Sequence, residues 1–511
     1  MERRSVFRLA AALSVAATLT VPVAAQAATS SGAPTPGSPA YIARDAQNIT
    51  DAYGRQAAPD GQLSPAYIAA ATQEQGPQWV AQLMGQAANP TRSALDPGQL
   101  VPGWNSGNPY RYDWAGKRGL MVPVSYTNRY GALIQGDVFA PLPGARDPYT
   151  GKQLRRPYPG VVITTGSVQG SEKMYWWLAQ DLAERGYVVL TYDVQGQGRS
   201  ETLPHQGSIE DSPYCDLAAP PAAGEQTPCP GVPFQQTSNF VYGTEDAIDF
   251  FLSTPTAAYK NPSAGSAKVN QYNPLWQLFD RSPDTHTVTP GRTTRLAIVG
   301  HSLGALAVSY VQGIDKRVEA VVALDKLSTS TSLNGTSFDA QGPLLPRVPG
   351  LGVQSEYGFN VAPYFANPGL FNVTSGPTPP NQAPDPYREE KTGYQGWKAH
   401  GVDTMVIVPR ASTHLEYTDI PWVLPASRYG QDVASYYTQA WLDKYVKHDP
   451  TADARLQATS FRYLEPSAGD IWKPVTLQRA DRLSFYFCSG MDVRTGRGQV
   501  VDEDLSGLGC K

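Results

Sequence analysis

Short apolar runs alternate with helical patterns through the middle of the chain. The apolar runs are rich in Val, Ile and Leu and lie at 161–165, 187–192, 296–299, 318–324 and 404–408. The helical patterns lie between or after them, at 173–185, 244–252, 305–312 and 431–446. Near-continuous apolar strands separated by helices are typical of a sheet covered on both faces. We therefore predict an α/β fold with a mostly parallel central sheet and helices on both faces.

The residues before these runs show different sequence patterns. Alternating runs at 119–126 and 132–139 predict paired antiparallel strands at one edge of the sheet. Residues 28–64 are rich in Ala, Ser, Gly and Pro, which indicates a loose leader. A helix is predicted at 65–86, with Pro77 as a kink or boundary because proline interrupts the hydrogen bonds of a helix interior.

The 511 residues are predicted to form one core domain with an insertion, an N-terminal signal and leader, and a C-terminal tail. Residues 118–447 are predicted to form a single α/β domain. Within them, residues 200–290 separate two strands that should be neighbours, which predicts a cap-like insertion. A signal peptide at 1–27 and a leader with a helix at 28–117 precede the domain, and a small β-rich C-terminal appendage at 448–511 follows it.

The N-terminus and the cysteines indicate export. A basic start, an apolar stretch and an A-x-A site at 25–27 are typical of a cleaved secretory signal, with an uncleaved anchor helix as the alternative. Four cysteines in an exported chain favour disulfides. Proximity suggests the pairs Cys215–Cys229 and Cys488–Cys510, one of three possible pairings. The composition favours a bacterial source, so we expect a secreted, extracellular protein.

Composition and charge exclude several classes of function. Hydrophobic residues make up 41% of the chain and aromatic residues 10%, which excludes bulk disorder. The 41 Lys and Arg do not exceed the 45 Asp and Glu, so nucleic acid is not an expected partner. Beyond the N-terminus no apolar run is long enough to span a membrane. The cysteines lack the C-x2-C spacing of a zinc site, and neither a metal nor a cofactor is expected.

The segment from Gly300 to Gly304 reads Gly-His-Ser-Leu-Gly and matches the pattern G-x-S-x-G. A strand pattern enters it and a helix pattern leaves it. A strand, a sharp turn and a helix place the hydroxyl of the serine at the carboxyl edge of the sheet, where ligands bind in open α/β sheets. Ser302 is therefore the candidate nucleophile, and a simple glycine-rich turn is the alternative.

A serine nucleophile needs a base, and in this arrangement the base follows it in the chain. His414 follows the strand at 404–408 and should lie at the same sheet edge as the serine. The other five histidines precede the serine, lie inside its motif or stand at the wrong end of an element: His205, His286, His301, His400 and His448. His414 is the predicted base, with a surface loop histidine as the alternative.

The third residue must orient the imidazole and stabilise its charged form. Asp325 ends the strand at 318–324, and Glu356 lies in a plausible later strand at 349–356. Asp403 precedes its strand and stands at the wrong end of it. The residues themselves leave Asp325 and Glu356 both open.

Acyl transfer also needs hydrogen-bond donors for the developing oxyanion. The backbone N–H of Leu303, which follows the nucleophile, is one candidate. The other should come from the glycine-rich loop at 166–170, after the strand at 161–165. A phosphate cradle is the alternative for this loop, but it lacks the G-K-[ST] ending.

With these parts in order, the chain resembles the α/β-hydrolases and, within them, the plasma platelet-activating-factor acetylhydrolase group. The matching residues are Gly300 to Ala305, Ala323-Leu324-Asp325, Ser355-Glu356-Tyr357 and the loop that ends in His414. The resemblance covers roughly 155–447 and does not extend to the insertion, the leader or the tail.

The resemblance implies two residue roles and a fold. It favours Asp325 over Glu356, because the catalytic acid of that group follows the strand after the nucleophile. It implies the backbone N–H of Ser167 as the second oxyanion donor, although Thr165 stands where the group usually has histidine. It also implies the α/β-hydrolase fold.

We therefore expect a secreted serine hydrolase of the carboxylesterase or lipase type, which cleaves a small-molecule or lipid ester through an acyl-enzyme. An acyltransferase or an amidase would use the same triad. A non-catalytic binding protein of the same fold is the alternative from another class. Neither the identity of the ester nor the oligomeric state can be read from the sequence.

Overall fold

The fold is described from a computed structural model of the chain. The described residues are 34–35, 38–88, 107–129, 131–167, 171–201, 237–259, 261, 269–325, 327–329, 332–333, 336–337, 344–358, 361, 392–420 and 429–508. The predicted signal and three of the four cysteines (Cys215, Cys229 and Cys510) lie outside them. The signal and the disulfide pairs therefore stay predictions.

A ten-stranded sheet runs through the core. The strands along the chain are β1 (Gly119–Thr127), β2 (Leu133–Pro141), β3 (Gly160–Thr164), β4 (Val188–Tyr192), β5 (Leu296–His301), β6 (Ala320–Leu324), β7 (Ser332–Leu333), β8 (Thr336–Ser337), β9 (Gly350–Val353), β10 (Thr404–Ile407), β11 (Ser460–Ser467), β12 (Ile471–Gln478), β13 (Gly490–Thr495) and β14 (Gly498–Asp502). The order in the central sheet is β1-β2-β4-β3-β5-β6-β9-β10-β13-β14. Its middle is parallel from β4 to β10, and antiparallel pairs complete both edges.

Helices cover both faces of this sheet. The helices are α1 (Pro39–Ala57), α2 (Pro65–Ala88), α3 (Trp176–Glu184), α4 (Thr237–Leu252), α5 (Leu303–Ile314), α6 (Thr392–Ala399), α7 (Tyr429–Tyr445) and α8 (Ala452–Gln457). Helices α3 and α7 pack on one face, and α4 and α5 pack on the other.

The β3 strand shows why its sequence gives this arrangement. Val161 and Ile163 point into the core beside α3 and α7, whereas Val162 points into the core beside α4 and α5. Each such side chain contributes about 1.5–3 kcal/mol when it is fully buried. The predicted α/β class, the mostly parallel sheet and the antiparallel edge are confirmed.

The leader is more ordered than the sequence indicates. Residues 39–57 form α1, which begins at Ser38, where the Ser38 hydroxyl accepts the Tyr41 N–H at 3.2 Å. The prediction of a loose leader is wrong for these residues: it rested on composition, and the buried stripe of α1 is largely polar. The buried residues of α1 are Tyr41, Asp45, Asn48, Ala52 and Gln56. The predicted helix at 65–86 is confirmed as α2, which runs through Pro77.

The described part of the predicted insertion packs against the sheet. Phe251 of α4 and Phe279 lie over Gly160, where a Cβ atom would stand only 2.5 Å from the ring of Phe251. Residues 237–259 and 269–290 therefore cover the sheet and do not form a cap. The cap-like prediction is left to residues 202–236, which lie outside the described part of the chain.

The tail completes one edge of the sheet. Strand β13 pairs with β10, and β14 pairs with β13. Strands β11 and β12 form a separate hairpin, in which the Phe461 ring stacks on Tyr436 of α7 at 4.2 Å between centroids. The predicted appendage is β-rich, but half of it belongs to the central sheet.

Among the residues described, no helix combines the length and the apolar character that crossing a membrane requires.

Candidate active site

Ser302 stands on a sharp turn between β5 and α5. Its φ is 56° and its ψ is −120°, a conformation that non-glycine residues rarely adopt and that costs about 1–3 kcal/mol. Two hydrogen bonds hold the turn. The Ser302 N–H donates to the Leu324 carbonyl at 3.0 Å, and the Ala305 N–H donates to the Ser302 carbonyl at 2.9 Å. The turn is the strained strand-to-helix elbow that exposes a serine hydroxyl.

Close packing explains the two glycines of the motif. A Cβ atom at Gly300 would collide with the carbonyl of Gly304. A Cβ atom at Gly304 would collide with the carbonyls of Thr164 and Thr165 at the end of β3. Glycine is required at both positions because backbone approaches backbone there.

The structure brings together three of the residues that the sequence singled out. The Nε2 atom of His414 lies 2.9 Å from the Ser302 hydroxyl, and its Nδ1 atom lies 2.6 Å from Oδ2 of Asp325. The His414 side chain is 12% exposed and that of Asp325 is 2% exposed. With Asp325 ionised, Nδ1 carries the proton of the neutral ring and Nε2 can accept the proton of the serine.

Asp325 is fixed by its own backbone and by Ser355. Its φ is 48°, in the left-handed region that aspartate tolerates better than most residues, and its N–H donates to the Val353 carbonyl at 2.8 Å. The Ser355 N–H donates to Oδ1 at 3.0 Å, and the Ser355 hydroxyl donates to Oδ2 at 2.6 Å. These donors stabilise a buried carboxylate beside the imidazole.

Glu356, the alternative acid, lies elsewhere. Its carboxylate accepts the Ala411 N–H at 2.6 Å, the Ser484 hydroxyl at 2.6 Å and the Phe485 N–H at 3.1 Å, and it also accepts the side-chain amide of Asn48. Burial raises the pKa of Glu356. Because the His414 ring is bonded to Asp325, Glu356 does not take the third position of the triad.

His301, which the sequence excluded as a base, contacts the backbone of His414. Its Nδ1 lies 2.7 Å from the Tyr175 hydroxyl, and its Nε2 lies 2.9 Å from the carbonyl of His414. The Tyr175 hydroxyl accepts the Gly166 N–H at 2.9 Å, so it donates its own proton to Nδ1. Burial lowers the pKa of His301 to about 3, so the ring is neutral and its Nε2–H donates to His414.

Sequence reasoning did not assign a role to His301 or Tyr175. The motif position of His301 gives no signal beyond the pattern G-x-S-x-G, which accepts any residue there. Tyr175 lies just before α3 in an aromatic stretch that is equally consistent with a core. The contacts that run from Tyr175 to His301 and from His301 to the His414 carbonyl appear only in the folded structure.

One predicted oxyanion donor, Leu303, directly follows the serine, and the residue before the other lies beside the serine. A Cβ atom at Gly166 would lie 3.1 Å from Cβ of Ser302, so the loop after β3 adjoins the nucleophile. The Gly166 N–H is bonded to Tyr175, and the next amide along the loop is that of Ser167. Leu303 is the first residue of α5, where an N–H has no acceptor within the helix and the helix dipole favours negative charge.

The remaining candidates have structural partners. His448 contacts Asp284 at 2.6 Å, and His400 contacts the Gly396 carbonyl at 2.8 Å. Asp403 accepts the Tyr445 hydroxyl at 2.8 Å. In the described ranges, no group of three or more His, Cys, Asp or Glu side chains is arranged to hold a metal ion.

The site therefore consists of a serine, a histidine and an aspartate in hydrogen-bond contact at the carboxyl edge of an α/β sheet. No protein-family model matches the chain, and no curated protein matches it either.

Proposed function

We propose that the protein is a serine hydrolase that cleaves carboxylic esters, with Ser302 as the nucleophile, His414 as the base and Asp325 as the acid. One observation carries the proposal. The chain of contacts from Ser302 through His414 to Asp325, at 2.9 and 2.6 Å, starts from a serine held on a strained elbow. A structural serine needs neither a strained backbone nor an oriented imidazole.

The reaction follows from the positions of these groups. The Ser302 hydroxyl attacks the ester carbonyl while Nε2 of His414 takes its proton and then gives that proton to the leaving alcohol. Asp325 keeps the ring in the required orientation and stabilises its charged form. Water, activated by the same histidine, then releases the acid from the acyl-enzyme.

The oxyanion of the tetrahedral intermediate needs two donors. We assign them to the backbone N–H groups of Leu303 and Ser167, one from the start of α5 and one from the loop after β3. Donors fixed in place before the reaction stabilise the developing charge without reorganisation. None of these steps requires a metal or a cofactor.

The α/β-hydrolase fold is part of the same proposal. The mostly parallel sheet, the strand–elbow–helix unit around Ser302 and the chain order serine, aspartate, histidine support it. The resemblance to the plasma platelet-activating-factor acetylhydrolase group supports the choice of an ester as substrate. The signal pattern at 1–27 supports export from the cell.

Ser302→Ala tests the proposal directly. Hydrolysis of a chromogenic ester such as p-nitrophenyl butyrate should fall by about six orders of magnitude, because the triad acts as a unit. Ser282→Ala is the matched control, since Ser282 is an exposed serine that bonds only to neighbouring Asp280 among the contacts described. A normal rate in Ser302→Ala would contradict the mechanism.

Two further measurements separate the related activities. A fluorophosphonate probe should label wild type at Ser302, whereas a non-catalytic binding protein would not react. Product analysis with a competing alcohol distinguishes hydrolysis from acyl transfer, and a matched anilide distinguishes an esterase from an amidase.

A further inference from the structure

The loop that carries His414 contains a backbone conformation that needs support. Ala411 has a φ of 54°, in the left-handed region that an alanine side chain disfavours. The Ala411 N–H donates to the Glu356 carboxylate at 2.6 Å. A charged acceptor makes a stronger hydrogen bond than a neutral one. Glu356 therefore stabilises the unfavourable turn three residues before His414.

The backbone around Glu356 holds the rest of the same loop. The Glu356 N–H donates to the Ser412 hydroxyl at 3.0 Å, and the Tyr357 N–H donates to the Ser412 carbonyl at 2.9 Å. The His414 N–H donates to the Gly358 carbonyl at 2.8 Å. Residues 356–358 thus fix the course of the loop as far as the backbone of His414.

Helix α1 reaches this arrangement through Asn48. The side-chain amide of Asn48 donates to Glu356, and its oxygen accepts the Arg410 Nε–H at 2.8 Å. Arg410 also forms an ion pair with Asp51, one turn along the same helix. Asn48 is fully buried, and these two contacts join the residue before Ala411 to the carboxylate that holds Ala411. The Asn48 amide also donates to the Tyr357 hydroxyl at 3.3 Å.

The tail supplies the remaining contacts. The Ser484 hydroxyl and the Phe485 N–H both donate to Oε1 of Glu356, whereas Asn48 and Ala411 donate to Oε2. Both carboxylate oxygens therefore face donors only. A side chain that lacks the second acceptor oxygen cannot satisfy this set.

We infer that Glu356 and Asn48 are positioning residues for the proposed hydrolysis. They hold Ala411 in its left-handed conformation and thereby place the His414 ring between its two partners. They act on the reaction through the backbone before His414, and Asn48 brings α1 into this arrangement. The inference rests on the proposed function.

Asn48→Ala tests the inference, with Arg55→Ala as the matched control. Arg55 lies on the same helix but pairs with Asp432 at 3.3 Å and Glu465 at 3.4 Å, away from the loop of His414. The readout is labelling of Ser302 by a fluorophosphonate probe. Asn48→Ala should lower the maximal labelling rate by about tenfold, since small displacements of a catalytic group are costly, and should leave the probe affinity unchanged. Arg55→Ala should leave both unchanged while it lowers the melting temperature.

A rescue experiment tests the role of the left-handed turn. Glu356→Gln replaces one acceptor oxygen by a donor and should lower the labelling rate by about a hundredfold. Adding Ala411→Gly to this variant should recover part of the rate, because glycine adopts a positive φ without steric cost. A purely structural defect would not be repaired by a glycine at this position.

The outcomes separate the inference from the function it rests on. If wild type is not labelled at Ser302, the proposed function is wrong. If wild type is labelled and Asn48→Ala behaves like Arg55→Ala, the inference alone is overturned. If Glu356→Gln folds and Ala411→Gly brings no recovery, the inference is overturned as well. If Glu356→Gln does not fold, the comparison of Asn48→Ala with Arg55→Ala decides.

Discussion

The ring and the backbone of His414 are held in two different ways. The described hydrogen bonds of the ring are with Ser302 and Asp325, each at the end of a neighbouring parallel strand. The backbone has partners from distant parts of the chain: its N–H is bonded to Gly358 and its carbonyl to His301. The ring partners perform the proposed chemistry, and the backbone partners decide where the ring stands.

The difference also separates two kinds of buried carboxylate. Asp325 and Glu356 both follow strands of the sheet, and both accept several hydrogen bonds. Asp325 faces an imidazole, whereas the described donors to Glu356 are amides and a hydroxyl. A carboxylate at the correct sheet edge is therefore not sufficient evidence of an acid; the donor that it faces decides its role.

The largest expected loss of kcat comes from Asp325→Asn, which changes a partner of the His414 ring. An asparagine can present its amide to Nδ1 and favour the wrong tautomer of His414, so kcat for ester hydrolysis should fall by about 10⁴-fold. Steady-state kinetics of Asp325→Asn and Glu356→Gln, measured side by side, show which variant loses more of its kcat. A larger loss in Glu356→Gln than in Asp325→Asn would reverse the assignment of the acid.

A smaller loss of kcat is expected when the hydrogen bonds that hold His301 against the His414 backbone are weakened. Tyr175→Phe removes the hydroxyl that joins Gly166 to His301, and kcat should fall by roughly tenfold because two buried hydrogen bonds are left unmade. Tyr445→Phe is the control, since its hydroxyl bonds to Asp403 at the opposite end of β10. Equal losses of activity in the two variants would contradict a specific role for Tyr175.

The smallest effect concerns stability as a function of pH. The pKa of His301 is lowered from 6.5 to about 3 by burial, so between these values the unfolded chain binds a proton that the folded chain does not. This stability is fully present above pH 6.5 and is lost as the pH falls towards 3. His301→Gln should therefore flatten the fall in the free energy of unfolding between pH 6.5 and 4, measured by urea denaturation. An unchanged slope would show that His301 is not neutral in the folded protein.

His414 and the candidate partners of its ring could be predicted from the sequence, because these residues follow strands that the apolar pattern reveals. The G-x-S-x-G motif gave Ser302, and elimination among six histidines gave His414. The strand ends left Asp325 and Glu356 both open, and only the resemblance favoured Asp325. The same periodicity predicted the middle of the sheet. Strand order at the C-terminal edge was not predicted, because β13 and β14 are short strands in the tail and β14 is largely exposed.

The contacts that support the backbone of the His414 loop could not be predicted, for a physical reason. The contact between Asn48 and Glu356 joins residues 308 positions apart. Polar residues on a buried helix face resemble those on a solvated face, so the polarity of Asp45 and Asn48 gives no sign that α1 docks through them. The role of Glu356 follows from the left-handed φ of Ala411, which a sequence does not display.

The connection between Asn48, Glu356 and Ser484 has a consequence for folding. These residues come from near the start, the middle and the end of the described chain, and they meet beside one turn. Contacts between residues so far apart in sequence form late and slowly. A nascent or partly folded chain would have its serine elbow before it had a placed histidine. The enzyme that we propose would therefore reach full activity only after α1 and the segment of Ser484 have docked beside Glu356.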